Sequence, residues 1–206
     1  MKVLVFGAAG KTGGLVVEHA LAKGYEVTVL VRDVSRFTMP GVQVLVGDAT
    51  RLDDVRQAVR GQDGVIDAIG GSTPYKKTLL ERTSVRNMIE AMRAEGVSRL
   101  IVVSMMGLGE SRGQAPFWYK HLLMPTFLRG STEDKTLMEE EVGRSGLEYV
   151  IARPPILKDD PATGSVTVLG SGAIGHTITR ADLAEFLVQQ LESDQHLGQA
   201  VTVVNT

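Results

Sequence analysis

The sequence predicts an α/β fold in which a doubly wound parallel sheet carries helices on both faces. Short β-branched runs alternate with longer segments of helical period along the 206 residues. A glycine-rich loop follows the first run, and continuous apolar strands of this kind suit a parallel sheet covered on both sides. The alternation also implies right-handed crossovers. The length and pattern favour a single α/β domain over residues 1–206.

The composition excludes several classes of protein. Hydrophobic residues make up 43% and charged residues 22%, which is ordinary for a globular domain. The net charge of −2 gives no electrostatic reason to expect nucleic acid as a partner. Because the chain has no cysteine and its four histidines are scattered, no metal site is expected. The first apolar run, Val3–Phe6, is too short for a signal peptide or a membrane span, so we expect a cytoplasmic protein without a membrane partner.

The pattern assigns seven strands and five helices. The predicted strands are Val3–Phe6, Glu26–Val31, Gln43–Val46, Val65–Ile69, Arg99–Ser104, Tyr149–Ala152 and Ala200–Val204. The predicted helices are Thr12–Lys23, Leu52–Val59, Leu79–Glu95, Thr132–Ser145 and Ala181–Glu192. Ser131 and Asp134 are expected to cap the start of the fourth helix, with Asp134 placed well for the helix dipole.

Residues 105–130 break the alternation and form a long insertion after the fifth strand. Three consecutive aromatic residues, Phe117, Trp118 and Tyr119, lie within it. In such folds this position is at the carboxyl edge of the sheet, where ligands bind. The insertion is therefore expected to cover a substrate. The alternative is a satellite cluster that packs on the domain, at a dimer contact or elsewhere.

The glycine loop has the sequence Gly7-Ala8-Ala9-Gly10-Lys11-Thr12-Gly13 and lies between the first strand and the first helix. Gly7 permits the tight turn, Gly10 lets the backbone approach a pyrophosphate, and Gly13 allows the helix and strand to pack closely. Free N–H groups and the positive end of the helix dipole then face the phosphates. The complete strand–loop–helix–strand context predicts a bound nicotinamide dinucleotide.

The end of the second strand bears on the choice between NADP and NAD. Arg32 lies at the tip and Arg36 four residues on, and together they suit a 2′-phosphate. Asp33 competes with this interpretation, because a carboxylate there accepts a hydrogen bond from a ribose 2′-hydroxyl. NADP is the favoured cofactor, and NAD remains the alternative.

Two further turns lie where they can contact a cofactor. Asp48 and Ala49 follow the third strand, from which a carboxylate can accept a hydrogen bond from the adenine amino group. Ile69 and Gly70 end the fourth strand beside the expected cofactor path. Ordinary turn chemistry explains both segments equally well.

These motifs, taken in order, resemble a known family. The segments GAAGKTG, VLVRDVSR, GDAT, VSMMG, RPPI and TRADLAEF are similar to those of atypical short-chain dehydrogenases/reductases. The resemblance is strongest to the biliverdin-IXβ reductase/flavin reductase branch, with kinship to NmrA-like proteins, and it runs over nearly the whole chain. It implies a Rossmann fold that binds NADP(H).

The resemblance also implies roles for individual residues. Those implied to hold the pyrophosphate are Gly7, Ala9, Gly10, Lys11 and Thr12. Those implied to take the 2′-phosphate are Arg32, Ser35 and Arg36. Asp48 and Ala49 would border the adenine, and Ile69 and Gly70 would run along the cofactor. Those implied to lie against the nicotinamide are Pro154, Pro155 and Ile156.

The chain departs from the family at the positions that carry catalysis. Typical members use a Tyr-x-x-x-Lys pair, whereas the fourth residue after each tyrosine here is never a lysine; these residues are Val29, Leu79, Leu123 and Arg153. Met105 stands where the reductase branch has a hydroxyl, and Ile156 where it has a histidine. These departures argue against biliverdin itself as the substrate.

Two polar residues remain as candidate catalytic groups. Ser104 follows the fifth strand, and Lys135 opens the fourth helix on the face that it shares with Met138 and Val142. The spacing of Lys135 is similar to that of the lysine in isoflavone-reductase-like relatives. The alternative is that the Lys135 side chain only covers a buried stripe and extends to solvent.

The absence of a Tyr-x-x-x-Lys pair bears on which reaction the sequence predicts. Reduction of an isolated carbonyl needs a positioned acid, whereas a conjugated acceptor gives a delocalised anion that water can protonate. We expect an NADPH-dependent reductase of a planar flavin, quinone or tetrapyrrole-like acceptor, as a monomer or dimer. The residues expected to line the acceptor slot are Met105, Met106, Phe117, Trp118 and Met124. The alternative is an NADP-binding redox-sensor or regulatory protein without turnover.

Overall fold

Parallel strands build the centre of the molecule. A computed structural model describes residues 1–71 and 73–205 of the chain. The strands are β1 (Lys2–Phe6), β2 (Glu26–Val31), β3 (Val42–Val46), β4 (Gly64–Asp67), β5 (Arg99–Val103), β6 (Glu148–Arg153), β7 (Ile156–Lys158), β8 (Val166–Val168), β9 (Thr177–Thr179) and β10 (Gln199–Asn205). The main sheet has the order β3-β2-β1-β4-β5-β6-β10-β8, and β7 pairs with β9 separately.

The sheet has the predicted doubly wound topology. All neighbours pair in parallel except β8, which runs antiparallel to β10. The chain builds outward from β1 in one direction through β2 and β3, and in the other through β4, β5 and β6. Ligands in such folds bind at the carboxyl ends of the strands where this reversal occurs. The Rossmann fold predicted from the sequence is confirmed.

Helices cover both faces of the sheet. They are α1 (Lys11–Ala22), α2 (Leu52–Val59), α3 (Leu80–Glu95), α4 (Arg129–Gly143) and α5 (Arg180–Gln189). One core lies beneath α1 and α5 and includes Val16 and Leu187, both fully buried. A second core lies beneath α2, α3 and α4 and includes Met88 and Met138. The two cores fix the sheet edge that carries the candidate site.

The predicted cap of the fourth helix is wrong. Helix α4 begins at Arg129, before Ser131, and no side chain caps its N-terminus. The buried Asp134 carboxylate instead accepts hydrogen bonds at 3.0 Å from the amides of Glu81 and Arg82. These amides lie in the first turn of α3 and have no intrahelical acceptor. Asp134 therefore caps a neighbouring helix that is distant in sequence.

The remaining differences from the prediction are local. Strands β7, β8 and β9 were not predicted, because three residues are too few to show a period. Strand β4 ends at Asp67, since the amide of Ile69 donates to the Asp67 side chain at 3.0 Å rather than continuing the strand. The insertion contains two short helical segments, Gly109–Gln114 and Tyr119–Leu123.

Candidate cofactor-binding and active site

The glycine loop closes tightly over the end of β4. Gly7 has a φ of +76°, and a Cβ there would lie 2.5 Å from the carbonyl oxygen of Ala68. A Cβ on Gly13 would lie 2.1 Å from the carbonyl oxygen of Gly7. Side chains at these two positions are therefore sterically excluded, as the close packing of strand and helix requires.

The start of α1 presents backbone donors. The amide of Gly10 donates to the carbonyl of Gly7 at 2.9 Å, and the first bond inside the helix runs from Gly14 to Gly10. The amides of Lys11, Thr12 and Gly13 precede that first bond, as at the start of any α-helix. Such donors, together with the helix dipole, suit a pyrophosphate. The residues present fit the cofactor that the loop predicts.

A cavity of about 370 Å³ lies beside the loop at the carboxyl ends of β1 to β4. Nine of the predicted cofactor-binding residues line it, namely Gly7, Ala9, Gly10, Arg32, Arg36, Asp48, Ala49, Ile69 and Gly70. A volume of this order accommodates the adenosine half of a dinucleotide. The fold thus brings four separate turns of the chain to one cavity.

The two arginines at this cavity have no carboxylate partner, and the competing Asp33 carboxylate accepts hydrogen bonds through one of its two oxygens. Asp33 Oδ1 accepts from the hydroxyl of Ser35 at 2.7 Å and from its amide at 3.0 Å. Both hydrogen bonds lower the pKa of Asp33, and the bond from the Ser35 hydroxyl has the larger effect. Arg32 and Arg36 are exposed, and neither has a carboxylate oxygen within 4.0 Å among residues 1–71 and 73–205. Ser35 orders the turn that carries Arg36.

Asp48 and Ala49 are held by neighbouring groups. The amide and hydroxyl of Thr50 donate to Asp48 Oδ1 at 2.9 and 2.8 Å. The Thr50 amide contributes most to lowering the pKa of Asp48, and the positive charge of Arg32 acts in the same direction. The side-chain amide of Asn87 donates to the carbonyl of Ala49 at 3.0 Å. The carboxylate is therefore ionised and fixed at the cavity wall.

Lys11 faces a second cavity, of about 910 Å³, on the other side of the loop. Its ammonium lies 2.6 Å from a carboxylate oxygen of Asp159, which also contacts Arg180 at 2.5 Å. The hydrogen bond from Lys11 is the main cause that lowers the pKa of Asp159. Both Lys11 and Asp159 are more than half exposed, so the pair is readily rearranged.

A buried cluster of ionisable groups lies where β4 and β5 end. The Lys135 ammonium donates to the carbonyl of Val103 at 3.0 Å and lies 3.0 Å from Glu81 Oε1. Lys135 does not extend to solvent, because only 8% of the residue is exposed. Burial raises the pKa of the neighbouring Asp67 to about 7; the Ile69 amide and Lys135 oppose this, and Glu81 adds to it.

Ser104 belongs to a second polar network. Its hydroxyl donates to Glu139 Oε1 at 2.5 Å. The buried guanidinium of Arg153 contacts both oxygens of Glu139, at 3.0 and 2.7 Å, and Glu110 of the insertion at 2.7 Å. The serine proton is thereby directed into the protein and away from the sheet edge.

Strand β6 is followed by the predicted nicotinamide-facing segment. Pro154 and Pro155 are buried, and the carbonyl of Pro154 accepts from the amide of Met106 at 2.9 Å. Ile156 is 40% exposed and opens β7. The prolines therefore form a fixed wall, and the insertion is tied to it through the main chain.

The predicted acceptor slot is wrong in part. Met105, Met106 and Met124 pack into a separate buried cluster with Tyr119, and Met124 also lines a cavity between the insertion and α4. Phe117 and Trp118 are 77% and 49% exposed, since the helical turn that buries Tyr119 directs its two predecessors outward. The Phe117 ring packs on the ring of His121 at 4.4 Å, four residues along. These contacts support a satellite cluster for the three methionines, and the substrate-covering role of residues 105–130 stays a prediction.

Several site residues were missed from the sequence. Asp67 and Arg153 end apolar strands, and a charge in such a run is a usable signal of a buried polar group. Glu81, Glu139 and Asp159 carry no such signal, because ordinary surface residues have the same local pattern.

Within the described residues no group of His, Cys, Asp and Glu could hold a metal ion. None of the helices in the same part of the chain is long and apolar enough to cross a membrane.

Comparison with known proteins identifies the family. A family model described as NAD(P)H-binding matches residues 7–194, which include the glycine loop and the insertion. The chain belongs to this NAD(P)H-binding family. The NAD(P)-binding Rossmann family that the sequence resemblance implies is confirmed.

Relatives of this NAD(P)H-binding protein differ in their described roles. An uncharacterized chloroplastic protein of Arabidopsis thaliana is 31% identical over 98% of this chain and 76% of its own length. The photosystem II assembly factor Ycf39 of Guillardia theta is 26% identical over 99% of this chain and 65% of its own length. The structure of ChuY from Escherichia coli O157:H7, an anaerobilin reductase, superimposes with a TM-score of 0.82 at 28% identity, covering 100% of this chain and 97% of ChuY. The family match and the reductase structure support an NAD(P)H-dependent oxidoreductase.

Proposed function

We propose that the protein is an NADPH-dependent reductase of a planar conjugated acceptor, such as a flavin, a quinone or a tetrapyrrole. The observation that carries the proposal is the chemistry at the ends of β4 and β5. A buried ammonium, Lys135, lies there, while the Ser104 hydroxyl is committed to Glu139. The chain lacks the Tyr–Lys acid that reduction of an isolated carbonyl requires, and Lys135 would have to exchange its pairing with Glu81 for an anion on the acceptor.

When bound, the cofactor supplies the hydride, and the protein binds and orients the reactants. The α1 amides and the cavity beside them suit the pyrophosphate and adenosine. Pro154 and Pro155 would lie against the nicotinamide and help to exclude water from it. Lys135, fixed by Glu81 and the Val103 carbonyl, would stabilise the anion that forms on the acceptor.

The choice of NADPH over NADH rests on the adenosine cavity. Arg32 and Arg36 are exposed at its wall, whereas the Asp33 carboxylate, which would favour NAD, accepts hydrogen bonds from Ser35. Guanidinium groups bind a phosphate through charge-assisted hydrogen bonds. This arrangement supports NADP.

Loss of Arg32 tests that choice. A charge-assisted hydrogen bond contributes about 1.5–3 kcal/mol, so Arg32→Ala should weaken NADPH binding about tenfold or more and leave NADH binding little changed. Fluorescence titration of both cofactors measures the effect, and Arg60→Ala, an exposed arginine outside the cavity that pairs with Glu95, is the matched control. Equal loss for the two cofactors would argue against a 2′-phosphate site.

The acceptor class is supported by the site chemistry and by the likeness to ChuY, which is described as an anaerobilin reductase. NADPH oxidation should be measured with flavin mononucleotide, a quinone and a linear tetrapyrrole, and with aliphatic aldehydes and ketones for comparison. We expect turnover with at least one conjugated acceptor and slow or no turnover with the simple carbonyls. Faster turnover of an aliphatic ketone would reject the proposal.

A second candidate function is an NADP-binding redox-sensor or assembly protein without turnover. The engagement of Ser104 by Glu139 and the relationship to Ycf39, a photosystem II assembly factor, favour it. Tight NADPH binding combined with no oxidation by any acceptor would select this function. A cytoplasmic location, the absence of nucleic-acid and membrane partners, and the oligomeric state stay predictions.

A further inference from the structure

A third cavity, of about 480 Å³, lies between the insertion and the outer side of α4. Its floor is apolar and includes Leu108, Met124 and Pro125. Its volume is in the range of sites that take a small organic ligand. The cofactor cavities are lined by other residues, so nothing in the dinucleotide site accounts for this space.

The walls of this cavity carry an excess of positive charge. Arg112, Lys120 and Arg129 contribute three cations, and Glu133 contributes the one carboxylate. Glu133 is already paired, with Arg129 at 3.3 Å and with Lys77 at 3.4 Å. Arg112 and Lys120 have no carboxylate oxygen within 4.0 Å in the described ranges 1–71 and 73–205. Two cations thus face the cavity without an anion in a protein whose net charge is −2.

A hydroxyl at the cavity wall also lacks a partner. Thr132 Oγ1 is buried, and no hydrogen bond to it is formed by the part of the chain that the structure describes. Buried polar atoms in folded proteins nearly always have a partner, from the protein or from a ligand or water. A ligand with an anionic oxygen would neutralise the two cations, whereas the Thr132 hydroxyl, which has almost no accessible surface, would reach it only after its side chain rotates.

The cavity and the proposed site of reduction are built on the same two segments of the chain, α4 and the residues that follow β5. Thr132 and Thr136 line it and stand three residues before and one residue after Lys135, which is within one turn of α4. Gly107, on the opposite wall, is three residues after Ser104 at the end of β5. A substituent of an acceptor at the end of β5 would reach this space along the residues that follow the strand.

We infer that this cavity binds the anionic substituent of the acceptor, a carboxylate or a phosphate, through Arg112 and Lys120. The inference rests on the proposed reduction of a planar acceptor. It narrows the acceptor to an anionic one, such as a flavin mononucleotide or a tetrapyrrole bearing carboxylates. Neutral quinones and riboflavin lack the group that the cavity recognises.

Paired acceptors that differ only in charge test the inference. Flavin mononucleotide is compared with riboflavin, and a linear tetrapyrrole diacid with its dimethyl ester, in wild-type protein and in Arg112→Gln/Lys120→Gln. The expected result is a KM increase of about tenfold or more for an anionic acceptor, because charge-assisted hydrogen bonds are lost. The neutral members and NADPH affinity should be unaffected. An effect on the flavin alone identifies a phosphate ligand, and an effect on the tetrapyrrole alone identifies a carboxylate.

The matched control is Lys23→Gln/Arg144→Gln, which removes one lysine and one arginine from weak surface pairs at 3.7 and 3.8 Å. Equal changes in the control, or equal changes for neutral and anionic acceptors, would overturn the inference. Equilibrium binding of the same probes in the presence of NADP⁺ separates it from the proposed function. Charge-dependent binding without turnover would support the anion-binding cavity and reject the proposed reductase function. Turnover without charge dependence would support the reductase function and reject the anion-binding cavity.

Discussion

Replacement of Lys135 by methionine removes the one ammonium in the buried cluster at the ends of β4 and β5. Lys135 and Glu81 are paired at 3.0 Å, with side chains 10% and 3% exposed. Removal of one partner of a buried ion pair costs about 3–5 kcal/mol, because the other charge stays buried and unpaired. For a chain of this length each kcal/mol corresponds to roughly 2–4 °C in Tm. We therefore expect Lys135→Met to lower the Tm by roughly 6 to 20 °C.

The double variant Lys135→Met/Glu81→Gln separates folding from chemistry. Neutralising the Glu81 carboxylate removes the unpaired charge, so most of the lost Tm should return. If the ammonium stabilises the reduced acceptor, kcat should stay low, by about 10²-fold, because one electrostatic donor is missing in the transition state. NADPH affinity should change little. Lys23→Met, at the surface, is the control and should behave as wild type.

Thermal unfolding, NADPH titration and steady-state kinetics of these variants give a clear decision. Recovery of both Tm and kcat/KM in the double variant would show that Lys135 only stabilises the fold. A loss of NADPH affinity that parallels the loss of rate would assign the ammonium to the cofactor, through a ribose hydroxyl. Either result would refute the proposed role at the acceptor.

Three carboxylates provide further tests of the structure. Asp67→Asn should stabilise the fold most at pH 8, and in urea unfolding this advantage should shrink as the pH falls from about 7 to about 4. Burial raises the pKa of Asp67 to about 7, so between these values the folded protein keeps a proton that the unfolded chain releases. Asp182→Asn should destabilise the fold at neutral pH. Burial raises the pKa of Asp182, but hydrogen bonds from Thr163, Thr179 and Gly164 outweigh this and hold the pKa at about 2. The ionised carboxylate therefore contributes roughly 2 kcal/mol of stability at pH 7, which is lost between about pH 4 and 2. Asp134→Ala should cost about 1–3 kcal/mol through the lost α3 cap, and Ser131→Ala, at the rejected cap, should cost little.

The dinucleotide loop could be predicted from the sequence because its determinants are local. Gly7 and Gly13 lie six residues apart in one strand–loop–helix unit, and the same backbone that needs them also presents the amides. Arg32 and Arg36 follow the next strand, so their position at the sheet edge follows from topology alone. The state of Asp33 was not predictable in the same way, since its alternatives differ only in which nearby donor it accepts from.

The side-chain pairs at the ends of β4 and β5 could not be predicted, because they join residues that are far apart in the sequence. Lys135 and Glu81 are 54 residues apart, and Ser104 and Glu139 are 35 apart. Lys135, Glu81 and Glu139 lie on helices whose surface patterns are ordinary. The helical period predicts which face of α4 is buried, but it does not predict which residues of other elements contact that face. The exposure of the Phe117 ring could not be predicted either, because a run of aromatic residues does not indicate which of its side chains point into the protein.

The cavity lined by Arg32 and Arg36 and the buried polar networks of Lys135 and Arg153 also differ in how strongly they are coupled to folding. Arg32 and Arg36 are exposed, and screening by solvent keeps their contribution to stability small, so changes there can alter cofactor preference in an intact fold. Lys135 and Arg153 are buried in charged networks, where each substitution also leaves a carboxylate unpaired. Kinetic effects at the cavity can therefore be interpreted from single substitutions. In the buried networks they require charge-balanced pairs, because a single substitution there changes stability and chemistry together.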